Sequence, residues 1–98
     1  MAKLIAKYRR PDDVSAFEQH YFKVHVPLAK KLPGLTRYEV NAGAVSEASW
    51  YMVAVLTFES YEAMTAAMES EAGVAARADL QNFAGAGVEV LSFDTKEV

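Results

Sequence analysis

Apolar residues recur every three or four places along residues 12–32, DDVSAFEQHYFKVHVPLAKKL. At roughly 100° per residue, Val14, Phe17, Tyr21, His25, Leu28 and Leu32 share one stripe, which predicts a single amphipathic helix. Asp12 and Asp13 offer acceptors to the free N–H groups at its start, and Pro33-Gly34 ends it. Pro27 lies inside this helix. It forfeits the bond to the Lys23 carbonyl and predicts a bend just after His25. Upstream, residues 2–9, AKLIAKYR, alternate as a strand, with Leu4, Ala6 and Tyr8 on one side and Ile5 on the other.

The pattern continues in the same alternation of element types. Residues 35–45 predict a second strand, residues 46–49 a polar turn, and 50–59, WYMVAVLTFE, the strongest strand of the chain. Ser60 is a good N-cap for a helix with Tyr61, Met64, Ala67 and Met68 on one face. Gly73 is expected to break that helix, with residues 74–83 forming another helical stretch, and Gly85 and Gly87 marking a turn before a last strand over 88–94. The order β-α-β-β-α-β predicts an α+β, ferredoxin-like domain spanning 1–98: a four-stranded antiparallel sheet with helices on one face.

Counting faces adds a partner. The third strand is expected to set Trp50, Met52, Ala54, Leu56 and Phe58 against Tyr51, Val53 and Val55, and the last strand opposes Val88 and Val90 to Leu91 and Phe93. Helices on one side leave the other apolar face bare, so a homodimer is predicted in which two sheets pack face to face and close a barrel. A 98-residue chain buries only about two-thirds of its unfolded surface, which makes such help unsurprising.

Composition narrows the function classes. A formal charge of −3, with no basic cluster larger than Arg9-Arg10 or Lys30-Lys31, argues against nucleic acid. The RNA-recognition fold shares this strand order, but the third strand carries no positive charge to interleave with its aromatics. No apolar run approaches the roughly 20 residues of a membrane span, and the N-terminus lacks a signal-like apolar core, so a cytoplasmic protein is expected. There is no cysteine, which excludes disulfides and thiolate metal sites. His20 and His25 are five apart, poorly spaced to share a metal, and no Walker, Rossmann or G-x-S-x-G pattern occurs, so neither metal nor cofactor is expected.

Candidate chemistry centres on His25. An imidazole on an apolar stripe needs a polar partner or a pocket. It is read either as a core histidine bonded to one neighbour or as a general acid/base facing a ligand. Tyr8 should reach the same space, as partner to the imidazole or donor to a ligand oxygen. Tyr21, Met64, Met68 and Phe83 are candidate ligand-binding walls, although Met and aromatic stripes also serve as plain core. No acidic residue falls near either histidine on its own helix face.

The first forty residues carry a family resemblance. Lys7-Tyr8-Arg9-Arg10-Pro11, Phe17, His20-Tyr21, His25-Val26-Pro27-Leu28 and Pro33-Gly34-Leu35 resemble the N-terminal signature of the EthD family. The resemblance implies a dimeric α/β barrel and a catabolic or small-molecule setting. Founding members accompany a cytochrome P450 system that degrades ethyl tert-butyl ether. Their fold also hosts cofactor-free monooxygenases, cyclases and isomerases, so it does not choose a reaction. Together these readings predict an accessory or catabolic protein that binds a small apolar or aromatic carbonyl-bearing metabolite beside His25, with a cofactor-independent enzyme and a non-catalytic carrier as the two alternatives.

Overall fold

The computed structural model describes all 98 residues. Strands β1 (Ala2–Arg9), β2 (Leu35–Val40), β3 (Trp50–Phe58) and β4 (Val88–Asp94) make one antiparallel sheet in the order β2-β3-β1-β4. Helices α1 (Val14–His20), α2 (Val26–Ala29), α3 (Tyr61–Glu69) and α4 (Glu71–Asp79) fill the two crossovers. This is the α+β, ferredoxin-like arrangement. One apolar cluster joins Ala2, Ala6, Tyr8, Met52, Ala54, Leu56 and Phe58 of the sheet to Phe17, Tyr21, Ala29, Leu32, Met64 and Ala67 of the helical layer.

The predicted first helix is not continuous. Between α1 and α2, residues Tyr21–His25 form a π turn, in which the Val26 N–H reaches back five residues to the Tyr21 carbonyl. The irregularity therefore lies before His25 rather than after it, and Pro27 sits in the first turn of α2, where its missing N–H costs little. The wider turn has a geometric result. In an ideal α-helix each four-residue step drifts by about 40°. The π turn absorbs that drift, so Phe17, Tyr21, His25 and Ala29, spaced by four, all remain buried against the sheet. Ala29 thereby takes the buried place expected of Leu28, which is only half-buried.

Three further boundaries differ from expectation. β2 stops at Val40 because the Asn41 side chain takes over the ladder: its Oδ1 accepts from the Val53 N–H (2.9 Å) and its Nδ2 donates to the Gly43 carbonyl (2.8 Å). The second crossover breaks at Ser70, not Gly73. Ser70 closes α3 and caps α4, its Oγ accepting from the Gly73 N–H at 3.2 Å. The third difference is a β-bulge. Arg9 pairs with Trp50 while Tyr8 pairs with Met52, leaving Tyr51 as the extra residue. The bulge swaps the expected faces. Trp50 lies on the helix-free face with Lys7 and Arg9 over its ring (4.5 and 4.4 Å), and Tyr51 turns to the helix side, against Phe17 and bonded to Glu18.

The helix-free face carries Ile5, Val53 and Val55, half-buried, beside Leu91 and Phe93, each 43% exposed. Charged side chains flank this apolar strip on the same face: Lys3 donates to Thr57, Glu89 lies near Lys7 and Arg9, and Arg37 lies near Glu39 on β2.

Gly73 has a packing reason rather than a helix-breaking one. A Cβ there would lie 2.4 Å from the carbonyl oxygens of both Ala67 and Met68, where α4 crosses the end of α3. Gly73→Ala should destabilise the fold by about 2 kcal/mol, because overpacking outweighs the gain in helix propensity. Urea denaturation would register this as a lower midpoint with an unchanged slope.

Candidate functional site

A cavity of about 250 Å³ lies between the sheet and the helices. Ala6 and Ala54 sit directly opposite one another on β1 and β3, and two methyl groups at the sheet centre leave space that larger pairs would fill. Leu4, Leu56 and Val90 extend the sheet wall; Ala29 and Leu32 on one side, and Met68, Ala76 and Leu80 on the other, complete an apolar lining. Four polar side chains reach it: His25, Tyr8, Tyr38 and Arg77. At the Arg77 side an exposed groove of about 310 Å³ shares Leu4, Met68 and Arg77 with the cavity.

His25 is held by a residue from the other crossover. Its Nδ1 lies 3.0 Å from Oδ2 of Asp79, the last residue of α4. Asp79 also accepts from His20 Nε2 (2.8 and 3.1 Å to its two oxygens) and from Asn82 Nδ2 (3.0 Å). Burial raises the Asp79 pKa, but the hydrogen bonds from Asn82, His20 and His25 outweigh it and hold the carboxyl below its ordinary value. An ionised carboxylate only accepts, so His25 carries its proton on Nδ1. Burial also lowers the His25 pKa, against the opposing pull of Asp79, which keeps the ring neutral near pH 7.

The other ring nitrogen is left free. Every buried side-chain nitrogen and oxygen has a hydrogen-bond partner, and His25 Nε2 bonds to no protein atom, so it opens onto the cavity. The Tyr8 hydroxyl is likewise without a protein partner and faces the same space. Tyr38 shares a 2.6 Å hydrogen bond with Tyr21. Burial pushes the Tyr8, Tyr21 and Tyr38 phenols above their ordinary pKa, so all three keep their protons and remain donors.

Of the residues singled out in the sequence, His25, Tyr8 and Met68 line the cavity, whereas Tyr21, Met64 and Phe83 do not. Tyr21 stands behind Tyr38, Met64 belongs to the core, and Phe83 packs against both histidine rings, with centroids 5.2 Å from His20 and 4.8 Å from His25. Tyr8 is not the partner of the imidazole; Asp79 is. Sequence reasoning missed Asp79 because it searched each histidine's own helix. One signal was available: a carboxylate at a helix C-terminus opposes the helix dipole and needs compensating donors, and Asn82 follows at i+3.

Comparison with known proteins places this geometry in a lineage. The family model of the EthD domain matches residues 9–87. The chain belongs to the EthD family. An uncharacterized 11.0 kDa protein from the thcB-thcC intergenic region of Rhodococcus erythropolis is 35% identical, over 100% of this chain and 98% of that protein. The crystal structure of an EthD family protein from Bacillus halodurans superposes with a TM-score of 0.90 at 32% identity, covering 98% of this chain and 99% of the other. A dimeric ferredoxin-like protein of unknown function from Thermobifida fusca shares the fold, with a TM-score of 0.71 at 18% identity over 96% and 90% of the two chains. Within this EthD chain no helix is long and apolar enough to cross a membrane.

Acid should weaken this site in two steps. His25 binds its proton more weakly folded than unfolded, so its share of stability is complete above about pH 6.5 and is lost as pH falls through the lower folded value. The Asp79 share persists to lower pH and fades below the ordinary carboxylate range. Urea midpoints at pH 7.5, 5.5 and 3.5 should fall progressively, and His25→Gln should remove the first step. Asp79→Asn should cost about 3 kcal/mol at pH 7.5, since it strips the charge from a buried acceptor of three donors.

Proposed function

We propose that this EthD-family protein binds a small apolar or aromatic carbonyl-bearing metabolite in the cavity beside His25 and acts on it as a cofactor-independent acid–base catalyst. One observation carries the reading: an imidazole fixed by a buried carboxylate through Nδ1 presents an unpartnered Nε2 lone pair to an apolar space. The same carboxylate–imidazole logic prepares a general base in hydrolases, though here no nucleophilic side chain stands beside it. A proton next to a carbonyl would pass to Nε2, while the Tyr8 or Tyr38 hydroxyl would donate to the oxygen on which charge develops. The volume, below the roughly 300–1,000 Å³ of drug-sized pockets, suits a small metabolite. This deepens the small-molecule, catabolic setting that the family implies, ether degradation included, and keeps the protein cytoplasmic.

The proposal includes a homodimer formed through the helix-free sheet face. Its support is the half-buried Ile5, Val53 and Val55 with exposed Leu91 and Phe93, together with the dimers described for ferredoxin-like neighbours.

Two measurements test these statements. An aryl methyl ketone incubated in D₂O should exchange its α-protons faster with the protein than without, and His25→Gln should slow that exchange by roughly a hundredfold. Ketone binding without any exchange would select the non-catalytic carrier instead. Light scattering at micromolar concentration should return twice the chain mass, and Leu91→Arg should shift it toward one.

A further inference from the structure

Asp79 is the only carboxylate that either histidine meets, and both rings lean on it. The two rings open in different directions. His25 lines the apolar cavity, while His20, 26% exposed at its side chain, lines a separate surface cleft with Asp12, Asp13, Asn82 and Phe83. A buried carboxylate has one negative charge to give. When His20 is protonated, its cation pairs with that charge at 2.8 Å, and a second cation on His25 then gains less from Asp79 and is repelled by His20. When His20 is neutral, the full charge of Asp79 supports an imidazolium on His25.

We propose that His20 tunes the basicity of His25 from outside the cavity, through the one carboxylate that the two rings share. His20 is thus a positioning residue: it touches no ligand in the cavity, and its proton comes from the cleft. The other ionisable groups around the pair are Asp12 and Asp13 along the cleft, and Tyr8, Tyr38 and Arg77 around the cavity; none of them is bonded to either ring. A proton taken up by His20 then weakens the cavity base without touching it. No step requires a redox partner: one proton binds His20 and the electrostatic support of His25 is withdrawn.

The consequence for turnover rests on the acid–base reading of His25, but the coupling does not, and it can be read on the ligand-free protein. NMR titration of the His25 ring proton should give a curve broader than a single site in the wild type. In His20→Gln the curve should sharpen to one site and its midpoint should rise, by about one pH unit. In Asp79→Asn the midpoint should fall, and adding His20→Gln to that variant should move it by less than half as much, because the shared charge is gone. A His20→Gln curve that keeps its breadth and midpoint would overturn the proposal. So would a shift that persists in full without Asp79, which would point to altered packing. The breadth of the wild-type curve and the His20→Gln result decide the matter even where Asp79→Asn fails to fold. If the ketone exchange test fails while these titrations behave as stated, only the catalytic reading is lost.

Discussion

A buried carboxylate between two imidazoles is the constraint on which this site depends. An isolated charge in the interior is costly enough that a side chain would sooner be neutral, and Asp79 is 6% exposed at the end of a helix whose dipole disfavours it. Three donors from two crossovers meet that cost: His20 and His25 from the first, Asn82 from the second. The same bonds tie α1 and the π turn to α4, so the polar cluster is also a clasp between elements far apart in sequence. Phe83 lies against both rings, and its apolar face holds the surrounding dielectric low.

The rest of the helical layer can be understood as what keeps His25 within reach of that carboxylate. A regular helix would have carried the fourth residue of the buried series away from the sheet, and the π turn prevents it. On the sheet side, alanines at facing positions leave the volume into which Nε2 points. Neither device favours stability by itself. A π turn has poorer hydrogen-bond geometry than an α turn, and small residues at a sheet centre give up apolar burial. Local choices that run against packing are a common mark of sites kept for something other than folding.

Much of this was legible in the sequence, and the exceptions have physical causes. Strand and helix order followed from periodicity alone, and His25 stood out because an imidazole interrupts an apolar stripe. Periodicity assumes an unbroken period, however, and failed at each local departure from it. A single extra residue at Tyr51 exchanged the faces of Trp50 and Tyr51, and a π turn moved burial from Leu28 to Ala29. Side-chain to backbone bonds from Asn41 and Ser70 ended elements that hydrophobicity would have extended. Asp79 escaped because its partners lie 54 and 59 positions away, a separation at which pattern reading has no reach.

The wall at Arg77 bears on how large a guest this fold can take. The guanidinium donates to the Met68 carbonyl at 3.2 Å and pairs with no carboxylate, so one hydrogen bond to an uncharged acceptor holds it in place. On its far side, the groove flanked by Tyr61 and Thr65 runs on from the same Leu4 and Met68 surface. Leu4, Met68 and Arg77 are thus the wall common to the two spaces. The cavity volume of about 250 Å³ therefore belongs to this position of the Arg77 side chain, which forms the wall shared with the groove.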